Sequence, residues 1–178
     1  MAKSIIKNRI PSSLLFLMEL LLSLLLFAIA AAASLSVFAR AHNMSEEAYS
    51  TAIAAEDLSS MSELIRRGSD YVDVMDRAAT EYPHAEMTAD SIIVYFDKEN
   101  RETDKDNAAF QMCALFSMQD SMMHADMGFS SDPEAGIEEL VLEAASLYAS
   151  AESEEEFRKP DGLTAFLSID HYVKEGEL

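Results

Sequence analysis

SSLLFLMELLLSLLLFAIAAAASLSVFARAHNMSEEAYSTAIAAEDLSSMSELIRR, residues Ser12 to Arg67, runs for fifty-six positions without a Gly or a Pro. Its first part, from Leu14 to Ala39, is almost wholly apolar and carries one charge, Glu19. At about 1.5 Å of rise per residue, a helix over that run crosses a hydrocarbon core of roughly 30 Å. Beyond Arg40 the apolar residues thin to Met44, Ala48, Ala52, Ala55, Leu58, Met61 and Ile65, spaced by three or four. Such spacing predicts an amphipathic helix with this stripe as its buried face. Arg66 and Arg67 suit the negative end of a helix dipole, and Gly68 is the expected left-handed closing residue. Nothing between Ser12 and Arg67 breaks the pattern. The expectation is one continuous rod of about 80 Å, half in lipid and half beneath a domain.

Four segments follow from this reading: a basic leader (1–13), a transmembrane helix (14–39), its amphipathic continuation (40–67) and an acidic globular domain (68–178). The leader holds Lys3, Lys7 and Arg9 and no acid, whereas Arg40 to Leu178 holds ten Lys or Arg against thirty-one Asp or Glu. Positive residues flank the cytoplasmic end of a span. The predicted location is therefore the cell membrane, single-pass, with the N-terminus cytoplasmic and the acidic domain extracytoplasmic. Membrane lipid is the first expected partner. Nucleic acid is not one, because the chain beyond the span, of net charge −21 over residues 40–178, has no basic surface with which to displace counterions from phosphates. A competing reading makes the apolar run a secretory signal cut after Ala33.

Pro11, Ser12 and Ser13 form a helix start. Ser69 to Tyr82 is expected as a second, short helix capped by Ser69, with Val72, Met75, Ala79 and Tyr82 on one face and Pro83 beyond its end. From Asp90 the period changes. SIIVYF, AAFQMCALFSM and Ser121 to Phe129 read as strands, the first two separated by the polar connection DKENRETDKDN. Residues 137–150 carry both periods: Ile137, Leu140, Val141, Ala144 and Tyr148 at helical spacing, and Val141, Ala145, Leu147 and Ala149 in alternation. LTAFLSIDHYV after the Asp161–Gly162 turn alternates clearly, and a hairpin with Leu142 to Ser150 is the expected pairing. AESEEEF between them reads as a solvated loop. The fold class is thus α+β, with the long N-terminal helix packed on a small antiparallel sheet.

The chemistry-bearing residues are sparse. Cys113 lies in an apolar run and reads as a buried small hydrophobe, and a single cysteine allows no intrachain disulfide. His42, His84, His124 and His171 are dispersed, and His124 with Asp126 reads as a surface pair rather than a metal site. Asp97, Glu99, Asp104 and Asp106 have the acid content of a calcium loop but lack its turn glycine and terminal bidentate Glu, which leaves weak Ca²⁺ binding as the most that loop offers. There is no P-loop, nucleophile elbow, CxxC pair or HExxH. No catalytic, cofactor or metal residue is assigned, and the expected class is not an enzyme.

From Leu14 to Phe38 the sequence resembles the N-terminus of the type IV pilin and pseudopilin superfamily: a short basic leader, an aromatic or aliphatic residue, a Glu at the fifth mature position, then some twenty apolar residues. With the cut placed between Leu14 and Leu15, LFLMEL puts Glu19 fifth, and Phe16 falls one place later than usual. The span is also similar to those of type II secretion system-like membrane proteins of Gram-positive bacteria, which read SLLFLxEL. The resemblance implies a pilin-like fold, a peptidase that cuts the leader and methylates the new amine, and pairing of Glu19 with a neighbouring subunit's amine during assembly. It further implies that the partners are copies of this chain or other pilin-like subunits. Leu14 departs from the family, which has Gly before the cut. A membrane-tethered binding or sensor module that acts alone is the other class the sequence allows.

Overall fold

The computed structural model describes residues 12–119, 122–151, 153 and 157–172. Lys3, Lys7, Arg9 and Pro11 of the leader, Ser121, Val173 and the acidic residues Glu154 to Glu156 lie outside them. Helix α1 spans Ser12–Arg67 without interruption, as its lack of Gly and Pro requires. By contact the chain divides within this helix into two units, Met1–Glu47 and Ala48–Leu178.

Among the described residues the first unit is helix alone. Its residues from Ser13 onward are exposed, among them Leu14, Leu15, Phe16, Leu24, Phe27, Leu35 and Phe38. An apolar helix with nothing packed on it is unstable in water and at home in lipid. Among the described residues this is the one helix long and apolar enough to cross a membrane, and it lies near the N-terminus.

The second unit is an α+β domain. Its elements are the end of α1, α2 (Tyr71–Glu81), β1 (Glu86–Met87), β2 (Ser91–Phe96), β3 (Phe110–Gln119), β4 (Met122–Ser130), α3 (Ile137–Ser150) and β5 (Ala165–Tyr172). Among the described residues the strands form one sheet in the order β1-β2-β3-β4-β5, every neighbouring pair antiparallel. Period-two alternation sends Ile92, Val94, Met112, Ala114, Phe116, Met123, Ala125, Met127, Phe129 and Ile169 to one face, where they join residues of α1 and α2 in the main core. The opposite face sends Cys113, with Ile93, Leu115 and Phe166 beside it, against Ile137, Val141 and Ala144 of α3.

Four expectations change. The buried stripe of α1 is Ile53, Ala54, Leu58, Met61, Leu64 and Ile65, whereas Met44, Ala48, Ala52 and Ala55 are exposed. Alanine occurs on both sides of this helix and so does not mark a face; the larger Ile and Leu side chains set it. Gly68 is not left-handed, since the positive φ among the described glycines belongs to Gly162 at 102°. Gly68 serves instead as a point of close approach: a Cβ there runs into Val74 Cγ2.

The cap of α2 is Asp70 and not Ser69. Asp70 Oδ1 accepts the Asp73 N–H at 2.8 Å, so the helix begins at Tyr71. Its core face is accordingly Val74 and Ala78, with Tyr71, Met75 and Tyr82 at the margins and Val72 exposed.

Residues 142–150 are not a strand. Ile137–Ser150 is helical, and β5 pairs with β4 from Phe129↔Ala165 to Met122↔Tyr172. The edge of β4 satisfies β5 completely, which leaves 137–150 free to follow its helical propensity and close over the second face. At the centre of that contact stands Gly128, where an added Cβ meets Val141 Cγ2 at 2.5 Å and Leu163 Cδ2 at 3.1 Å.

Candidate functional site

Glu19 lies in the first unit on an exposed, unbroken helix. Its neighbours on the same helical face are Leu15 and Phe16 one turn before and Ser23 one turn after, so no cation is within helical reach. Leu14 and Leu15, the positions of the implied processing site, are likewise exposed helical residues. A carboxylate in hydrocarbon costs several kcal/mol near the bilayer centre, less near an interface, and it seeks a hydrogen-bonding or charged partner. Among the described residues no cation stands within a turn of Glu19, and Ser23 is the one polar side chain that close on its face.

In the second unit the register of β4 and β5 assembles a site that sequence spacing showed only in part. His124 and Asp126 project from β4 on the α3 side of the sheet, and Asp170 stands directly opposite His124 on β5. His124 Nδ1 lies 2.6 Å from Asp170 Oδ1, and Nε2 lies 3.2 Å from Asp126 Oδ1 and 3.3 Å from Ser168 Oγ. With both ring nitrogens on carboxylates, the imidazolium donates twice, and its pKa is raised above 6.5 by the Asp170 hydrogen bond first, with burial opposing. Because the folded-state value is raised, the stabilisation is full below about pH 6.5 and is lost as pH rises through the folded value. Asp170→Asn should move the imidazole midpoint down toward 6.5, read from the ring proton shifts; an unchanged midpoint contradicts this ordering of causes. Asp170 was missed because its pairing partner is forty-six residues away and the last strand was matched to 142–150.

The other candidates are spent on structure. Asp97 Oδ1 accepts the backbone N–H groups of Glu99 and Arg101, both at 2.9 Å, and so shapes its turn. Among the described residues no three His, Cys, Asp or Glu side chains are gathered as a metal-ligand set. His42 faces Glu46 one turn on, His84 Nδ1 lies 3.3 Å from Asp104, and His171 Nε2 lies 2.9 Å from the Gly68 carbonyl. Cys113 is fully buried, and burial with Glu138 nearby pushes its thiol up to about 12, which removes the nucleophilic thiolate. Glu138, at the first turn of α3, accepts a hydrogen bond from Ser91 Oγ at 2.6 Å and ties helix to sheet. No protein-family model, curated protein or solved structure matches this chain, so its residues alone carry the reading of what it does.

Proposed function

We propose that the chain is a pilin-like structural subunit, anchored by one membrane helix and assembling with copies of itself or with similar subunits into a pilus or a secretion pseudopilus. The observation that carries this is Glu19, the lone charge in an exposed apolar run on a helix that continues unbroken to Arg67. In this reading the N-terminus is cytoplasmic and the acidic domain lies outside the cell membrane. The apolar half-helix is stored in lipid and moves into a bundle in which Leu and Ala side chains pack between neighbours. Glu19 fixes the axial register there, because an unpaired carboxylate in a low-dielectric bundle is costly at every register except the one that presents a cation to it. No cofactor enters, and the role is not enzymatic.

Leu14, at the place of the family's Gly, and a net charge of −21 beyond the span, which sets copies of the domain against one another, favour a second reading: a membrane-tethered binding or sensor module that does not assemble. One variant separates the two. Glu19→Ala in the native membrane should leave insertion intact by alkaline extraction while reducing neighbour cross-linking between spans at least about tenfold, the effect of losing a contact worth about 1.4 kcal/mol. Cross-linking at the wild-type level in that variant overturns the role of Glu19 in assembly, and a dispersed monomer in both rules for the tethered module. The N-terminal residue of the purified protein then distinguishes an intact leader (Met1) from cutting before Leu15 or after Ala33.

A further inference from the structure

Asp57 lies on the sheet-facing side of α1, one position before the buried Leu58, and meets the connection between β2 and β3. That connection turns tightly. Asn100 takes a left-handed φ of 58°, its N–H donates to the Asp97 carbonyl at 3.1 Å, and the Asp97 N–H donates to the Arg101 carbonyl at 2.9 Å. The turn holds the Asn100 carboxamide against α1, where Nδ2 donates to Asp57 Oδ1 at 3.4 Å. The two remaining oxygens, Asp57 Oδ2 and Asn100 Oδ1, are both buried and both lack a hydrogen-bond partner. Two buried acceptors left open in one contact are costly, and rotating the amide by half a turn only sets oxygen against oxygen and loses the bond already made.

We propose that this contact is a proton-operated latch: a hydrogen on Asp57 Oδ2 turns that atom into a donor, so that acid and amide pair face to face and hold the β2–β3 connection on α1. One proton supplies what both orphaned oxygens need, with N–H···O on one side and O–H···O on the other. The charge that acts on the carboxyl, that of Glu56, favours keeping the proton. Glu56 adjoins it on α1, and Glu81 of α2 and Glu102 of the connection converge with Asp57 on Tyr82, whose hydroxyl is pushed up to about 12 by burial and then by these three acids. Burial, ahead of Glu56 and against the Asn100 hydrogen bond, raises Asp57 from 3.8 to about 6. Since the folded state binds the proton more tightly than the unfolded chain, the latch is closed in mild acid and releases as pH rises through about 6.

The test uses the full chain in detergent micelles or nanodiscs. Site-resolved carbon NMR should place the Asp57 carboxyl midpoint near 6, and hydrogen exchange at the Asn100 and Arg101 amides, corrected for intrinsic rate, should speed up about tenfold between pH 5 and pH 7.5. Tenfold is what this window allows, because pH 5 lies about one unit below the midpoint. Asp57→Asn, which forms an amide pair that does not titrate, should hold the slow exchange at both pH values. Asn100→Gly keeps the left-handed backbone and removes the carboxamide, and should give the fast exchange at both. A midpoint near 4, or the same pH dependence in either variant as in the wild type, overturns the latch.

Discussion

Phe129→Ala is expected to destabilise the globular unit by about 3–5 kcal/mol, the range for truncating a buried Phe in a core that relaxes only in part. Phe129 is fully buried near the end of β4, where its ring stacks on Phe96 at 6.2 Å and meets Phe110 at 5.8 Å. Those two rings belong to β2 and β3, so this one side chain fastens three strands beneath the helices. Its removal leaves a void bounded by rings that cannot follow it, and the lost contacts add to the lost transfer energy. Urea unfolding of the full chain in detergent should show a lower midpoint at unchanged slope. A loss under about 1 kcal/mol means that the site collapses, and that Phe96 and Phe110 repack against each other.

Met61→Ala comes next, at about 2–5 kcal/mol. Met61 is fully buried on α1 among Leu58, Leu64 and Ile65, and it is the largest side chain that this helix commits wholly to the core. The informative control is Ala52→Ser, nine residues earlier on the same helix. Its position is exposed, so the change should stay within about 0.5 kcal/mol. The sequence-derived stripe gave both residues the same standing. If Ala52→Ser costs as much as Met61→Ala, the helix is rotated relative to the face described above.

That rotation shows how much of the fold was legible. The extent of α1 was readable because a helix is ended by residues it cannot accommodate, and none occurs from Ser12 to Arg67. Its phase was not, because alanine occupies core and surface at nearly equal cost, and four of the seven residues assigned to the stripe were alanine or lay beyond the packed part. β2 was recognisable from its β-branched and aromatic run SIIVYF, and β3 and β4 as the apolar stretches that follow the polar connection. Residues 137–150 are left open by period, because VLEAASLYAS satisfies both; local propensity favours helix, and the need of the last strand for a partner argues for a hairpin. What decides them is that the open edge of β4 is occupied by β5, a fact about residues far away in the chain.

The candidate sites divide in the same way. Glu19 was legible because a charge in an apolar run stands out whatever the fold. The His124–Asp126 pair was legible because alternate residues of a strand share a face. Asp170 beside His124 and Asn100 beside Asp57 were not, since each pairing depends on register or on a turn conformation that no spacing rule encodes. The motifs that pattern reading handles well are local, and these two contacts span forty-six and forty-three residues.

The place where α3 crosses β4 has a consequence for descent. Gly128 leaves room for Val141 and for nothing larger than hydrogen on its own side. In any related chain that keeps this crossing, the two positions share a fixed volume. A lineage that acquires alanine at 128 must surrender methyl groups at 141, and one that enlarges 141 must keep glycine at 128. Drift at either site is therefore conditional on the other. Such paired substitution between a strand and a helix thirteen residues apart would trace this architecture through sequences too divergent to align by eye.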